Sequence, residues 1–112
     1  MNIAICDDDM LMANQIEKYV IEYFKRSKLK PPVIQIFSNG EGLLAKKATL
    51  DIVFLDIEMP GLSGTHVGHE LMKTNPKVII IIITSFMEFH CLIKIFHKRC
   101  DNDDNHFRVR FH

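Results

Sequence analysis

Residues 51–64 read DIVFLDIEMPGLSG, an apolar run that stops at a carboxylate and gives way to a proline-glycine loop. Ile52, Val53, Phe54 and Leu55 are uncharged and β-rich, bounded by Asp51 before and Pro60-Gly61 after, which predicts a short strand buried on both faces. Asp56 stands at the C-terminal end of that strand. In an open parallel α/β sheet this is the end where ligands bind, because the loops diverge over the strand tips and leave a crevice. An aspartate there also has a plainer role as a turn or helix-cap residue. The flanking chain bears on which role applies.

Residues 2–6 repeat the pattern, a short apolar run ending in the consecutive acids Asp7, Asp8 and Asp9. Over residues 10–28, Met12, Ile16, Tyr19, Val20 and Tyr23 recur at helical spacing between charged positions, with the three acids at the favourable N-terminal end. This predicts an amphipathic helix with Asp9 as its cap, ended by Pro31-Pro32. Residues 33–37 then form a strand with Gln35 as its single polar member, placed at the sheet edge. Ser38 to Glu41 caps a short second helix expected to reach Lys47, and Ser63-Gly64 opens a third that runs to about Asn75 before Pro76. Residues 78–83 are a continuous β-branched run ending in Thr84-Ser85, as an interior parallel strand requires.

The order β-α-β-α-β-α-β predicts an α/β fold, a parallel sheet with helices on both faces. In the doubly wound order 2-1-3-4-5, Asp7, Asp8 and Asp56 would converge at strand tips about 4.8 Å apart. Carboxylates that close disfavour joint ionisation unless a cation neutralises them, and an all-oxygen cluster suits Mg2+ with several waters retained. A divalent metal, an ionised carboxylate and the hydroxyl of Thr84 are the parts that phosphoryl transfer to aspartate needs.

Composition narrows the function classes. The chain has 112 residues, 47% hydrophobic and 25% charged, which fits one globular domain with a single core. Fourteen basic residues balance fourteen acidic ones, so no net field draws nucleic acid or anionic lipid, and neither partner is expected. The N-terminus enters a strand directly, without the basic and apolar regions of a secretory signal, and the longest apolar run, 78–83, is far short of a bilayer span. Cys6, Cys91 and Cys100 lack framework spacing, and free thiols in a reducing cytoplasm account for them.

IAICDDD, DIVFLDIEMPGLSG and the strand ending in Thr84-Ser85 together resemble the receiver domain of bacterial two-component response regulators. The ICDDD opening and the SFMEF that follows Thr84 look most like receivers that precede LytTR-type DNA-binding domains. The resemblance implies a flavodoxin-like doubly wound sheet of order 2-1-3-4(-5). It also implies Asp56 as phosphoacceptor, Asp7 and Asp8 as Mg2+ ligands with the backbone carbonyl of Glu58, and Thr84 as the switch hydroxyl. The partner implied is a sensor histidine kinase, the location cytoplasmic, and the chemistry at most self-catalysed phosphotransfer and dephosphorylation.

The likeness covers residues 1–89, the receiver core; residues 90–112 form a divergent tail of the same domain. The family's lysine, expected about twenty residues past the threonine, falls where this chain has Asp101 to His106, and no Lys-Pro occurs. Phe89, Leu92, Ile93 and Phe96 keep helical spacing, and Phe107, Val109 and Phe111 alternate with Arg108 and Arg110 as in a substitute strand. The sheet is therefore expected to be incomplete at its C-terminus, with a homodimer or swapped assembly exchanging the segment beyond residue 89. Cys91, His97, Cys100 and His106 lack the paired spacing of a zinc site, and Arg99, Arg108 and Arg110 suit a solvated edge better than a nucleic-acid surface. Two other functions fit parts of the pattern. One is a receiver-like interaction module impaired in phosphorylation by the missing lysine. The other is an aspartyl phosphatase resembling the haloacid dehalogenases, which want D-x-D where this chain has Asp56-Ile57-Glu58.

Overall fold

The structure is a computed structural model that describes residues 1–46, 49–57, 59, 61 and 63–83, together with the backbone of 107–108. Its elements run β1 (Asn2–Cys6), α1 (Met10–Arg26), β2 (Val33–Phe37), α2 (Gly40–Leu44), β3 (Ile52–Asp56), α3 (Gly64–Thr74), β4 (Ile79–Ile83) and β5 (Phe107–Arg108). The strands make one parallel sheet of order β2-β1-β3-β4-β5. This is the doubly wound order expected from the sequence; Phe107 pairs with Ile80 and Arg108 with Ile81, while residues 109–112 of the expected substitute strand lie outside the described residues.

The two faces of the sheet carry separate cores, because side chains alternate along each strand. Ile3, Ile5, Ile52, Phe54, Ile81 and Ile83 pack on one face with Ala13, Ile16, Val20 and Phe24 of α1. On the other face Ala4, Cys6, Val53, Leu55, Ile80 and Ile82 meet Leu43 of α2 and Val67 and Leu71 of α3. Covering both faces is why β1, β3 and β4 are apolar at nearly every position. β2 alternates between exposed and half-buried, as an edge strand should. The helical stripe read from the sequence omits Phe24, which is buried, whereas Tyr19 and Tyr23 are only half-buried.

Caps set the helix limits. Asp9 takes an extended conformation and its carboxylate accepts from the N–H groups of Leu11 and Met12 at 3.0 and 3.2 Å, as its position before the apolar stripe predicts. α1 ends at Arg26, two residues short of the expected limit, in a Schellman turn. There the N–H of Leu29 donates to the Phe24 carbonyl at 2.9 Å and that of Lys28 to the Lys25 carbonyl at 3.1 Å. Lys28 occupies the left-handed position of this turn, φ 56°, where glycine is usual and a side chain costs roughly 1 kcal/mol. α2 starts on the Asn39 cap and stops at Leu44 rather than reaching residue 47, since the N–H of Lys46 bonds back only three residues, to Leu43. α3 begins at the Ser63 cap and ends at Asn75, whose side-chain amide donates to the Leu50 carbonyl at 2.7 Å. β4 starts one residue after the expected 78; the N–H of Val78 is held in the turn by the Asn75 carbonyl. No helix among the described residues is long and apolar enough to cross a membrane.

Candidate functional site

Strand register assembles the site. Cys6 pairs with Leu55, so the residues that follow them, Asp7 and Asp56, leave the sheet side by side. Asp7, Asp8 and Asp56 each place one carboxylate oxygen within 4.8 Å of the others. Their environments differ. Asp7 is 3% exposed, Asp56 half-buried and Asp8 exposed. The backbone of Asp7 is held by its N–H donating to the Phe37 carbonyl at 3.0 Å, and its Oδ1 accepts from the N–H of Asp9 at 2.9 Å. Asp7 is thus fixed from β2 on one side and from the α1 entry turn on the other.

Burial is the main cause that pushes the Asp7 carboxyl up from 3.8 to about 7; the Asp9 N–H opposes it, and the charge and hydrogen bond of Asp56 and the charge of Asp8 add to it. Burial and the facing carboxylates thus favour the protonated form of Asp7 below neutral pH. Cys6, beneath the cluster, is raised to about 12 by burial and then by the charges of Asp7, Asp56, Glu41 and Asp8. It stays a thiol, 3.4 Å from the Asn39 carbonyl and 3.6 Å from the Met59 sulfur, and forms an uncharged floor.

The donor set fits a hard divalent cation. It offers only oxygen, it is short of positive charge at its buried end, and the exposed Asp8 leaves a side for water. Of the residues singled out from the sequence, Asp7, Asp8 and Asp56 come together, while Glu58 and Thr84 lie outside the described residues, as do the tail residues 90–106.

Two glycines shape the loop after Asp56. Gly61 has φ 84°, which only glycine adopts without strain. Gly64, the first residue of α3, lies directly on the β3 exit: a Cβ there would stand 2.5 Å from the Asp56 carbonyl oxygen and 2.7 Å from the Ile57 Cα. The sequence marks Gly64 as a turn residue. Its close approach to the phosphoacceptor candidate is a tertiary feature, for which the only local signal is a glycine where a helix former would serve α3 better.

Residues 3–101 match the family model for the response regulator receiver domain. The chain is 35% identical over 91 residues to the positive alginate biosynthesis regulatory protein of Pseudomonas aeruginosa, covering 80% of this chain and 35% of that protein. It is 32% identical over 90 residues to a protein-glutamate methylesterase/protein-glutamine glutaminase of Halalkalibacterium halodurans, covering 79% of this chain and 25% of that one. The chain thus spans about a third or less of the length of these curated relatives. Among solved structures, a CheY-like receiver domain from Methanospirillum hungatei superposes with TM-score 0.75 at 16% identity, over 91% of this chain and 94% of that one, which is evidence of fold. The response regulator TrrA of Thermotoga maritima, in complex with Mg2+ and beryllofluoride, matches with TM-score 0.59 at 28% identity, over 98% of this chain and 86% of that one. With the 2-1-3-4 parallel order and the triad of carboxylates at its strand tips already in place, the match along residues 3–101 makes this chain a member of the receiver-domain family of two-component response regulators.

Proposed function

We propose that this domain signals by accepting a phosphoryl group on Asp56, with Mg2+ held by Asp7, Asp8, Asp56 and the backbone carbonyl of Glu58. The observation that carries the reading is the convergence of three carboxylate oxygens within 4.8 Å at the strand tips. An Asp56 oxygen attacks the phosphorus of a phosphohistidine or an acyl phosphate; the new O–P bond forms as the bond to the leaving nitrogen or oxygen breaks. The carboxylate is already the nucleophile, so no separate base is required. Bound Mg2+ would supply compensation for the charge on the phosphoryl oxygens. Asp7 and Asp8 would hold the cation, and Gly64 keeps α3 seated on the peptide that follows Asp56. Thr84 is the hydroxyl that moves toward the phosphoryl group and carries the change to a partner surface.

The phosphodonor in this reading is a sensor histidine kinase in the cytoplasm. The output is a separate DNA-binding domain of LytTR type, so this domain needs no nucleic-acid surface of its own. Residues 1–89 form the receiver core, and 90–112 a tail that replaces the usual fourth and fifth elements. That tail also offers a route to a dimer, since a strand that pairs with β4 within one chain can pair with β4 of a second copy. Without the family lysine, transfer to Asp56 is expected to be slow, because a cation opposite the phosphoryl oxygens can contribute a few kcal/mol.

Incubation with acetyl phosphate and Mg2+, followed by intact-mass measurement, tests the phosphoacceptor. A single phosphoryl adduct that disappears in Asp56→Asn supports the reading. An adduct that persists in that variant, or turnover of a phosphate ester by the wild type, refutes it. Light scattering at tens of micromolar tests the assembly, and a monomer under those conditions removes it.

A further inference from the structure

We propose that the cleft between the C-terminal half of α1 and β2 is a docking site for an acidic, amphipathic segment of a partner protein. The cleft encloses about 340 Å³ and is walled by Phe24, Ile34, Pro31 and Pro32. That volume lies at the low end for ligand sites and has room for one or two apolar side chains. At its lip Ile21 and Leu29 are 45% and 48% exposed, an apolar pair on a chain whose other exposed large apolar residues are Met1, Met10, Leu11 and Val33 among the described ones.

The charge beside this rim is one-sided. Residues 25–30 read KRSKLK, four cations without an acid, on a chain whose net charge is zero. Arg26 already meets Glu22 at 3.7 Å, and Glu17 lies toward the other end of the cleft. Lys25 lines the cleft itself, and Lys28 and Lys30 bracket Leu29. An occupant with apolar anchors and flanking carboxylates would match both features at once.

The turn that presents these cations is hydrogen-bonded and strained at one residue. The Schellman bonds to Phe24 and Lys25 hold it, and Lys28 keeps a left-handed backbone that glycine would adopt freely. Strain kept at one residue of a binding surface is a recurrent mark of a functional position. The geometry also separates the possible occupants. A bilayer takes up protruding apolar side chains, whereas here Phe24 and the prolines line a concavity. A second copy docking through the same face would bring two KRSKLK segments together. The cleft is lined by α1 from Glu17 onward, which begins about 10 Å by helical rise beyond Met10 at the Asp9 end of the helix, so an occupant leaves the phosphoacceptor end open.

The test titrates the full isotope-labelled chain with a synthetic peptide that carries a leucine and a phenylalanine one helical turn apart among glutamates. Amide shifts should change within residues 17–34, and affinity should fall as salt is raised. The triple variant Lys25→Glu, Lys28→Glu, Lys30→Glu should bind about tenfold more weakly, and so should Ile21→Glu. Lys28→Gly, which relieves the strain, should stabilise the fold while weakening the peptide, a split that a purely structural role would not produce. Equal binding of a peptide with lysines in place of glutamates overturns the proposal, as does the lack of any response. Binding to phosphatidylserine vesicles but not to the peptide, or self-association abolished by Ile21→Glu, would assign the face to a membrane or to a second copy and overturn it equally.

Discussion

Replacing Asp56 by Asn should stabilise the metal-free domain at alkaline pH, and the size of the effect follows from Asp7. The Asp7 carboxyl rises from 3.8 to about 7 on folding. Between those pH values the folded chain keeps a proton that the unfolded chain has released, so stability falls as pH rises through this window. At about 1.4 kcal/mol per unit, the full loss by pH 8 is at most ~4 kcal/mol. Burial, the largest cause, survives the substitution; the charge of Asp56 does not, and the amide can still donate to Asp7. We therefore expect recovery of roughly 1–2 kcal/mol, several degrees in Tm at the usual ~4–8 °C per kcal/mol for a domain near this size. Urea and thermal unfolding at pH 5 and pH 8 in EDTA give the assay. The variant should match wild type more closely at pH 5 and exceed it at pH 8. Equal or lower stability at pH 8, or an unchanged pH slope, would refute the idea that these carboxylates repel one another across the strand tips.

Other substitutions probe separate parts of the fold. Gly64→Ala should destabilise by roughly 2 kcal/mol or more, since its Cβ would lie 2.5 Å from backbone rather than from a movable side chain, and chemical denaturation measures it. Asp9→Ala removes the acceptor for two N–H groups and should lower stability by about 1 kcal/mol at pH 7. Lys28→Gly should raise it by roughly 0.5–1 kcal/mol, whereas Lys28→Ala should not. Mg2+ should raise the Tm of wild type in a concentration-dependent way through preferential binding to the folded state, and differential scanning calorimetry should find most of that rise missing in Asp7→Asn.

Much of this architecture is local and so legible in the chain itself. Strands buried on both faces must be apolar at every position, which marks residues 52–55 and 79–83 without any neighbour in view. The caps at Asp9, Asn39 and Ser63 act on backbone two or three residues away, so short spacing reveals them. The end of a strand, and hence the position of Asp56, is visible for the same reason.

Other features depend on what lies across the sheet or across a turn. Phe24 is buried and Tyr19 only half-buried because the face of α1 that meets the sheet runs through Ala13, Ile16, Val20 and Phe24, and which of several apolar stripes faces inward is set by the packing partner. Gly64 is needed because α3 starts on top of the Asp56 peptide, a contact between segments that periodicity does not encode. Asp7 and Asp8 are identical neighbours, equivalent as candidates in the sequence. Pairing of Cys6 with Leu55 and of the Asp7 N–H with Phe37 turns the first inward and leaves the second in solvent. The first has its proton affinity raised toward neutrality, because desolvation and a facing carboxylate act on a charge according to where the fold puts it.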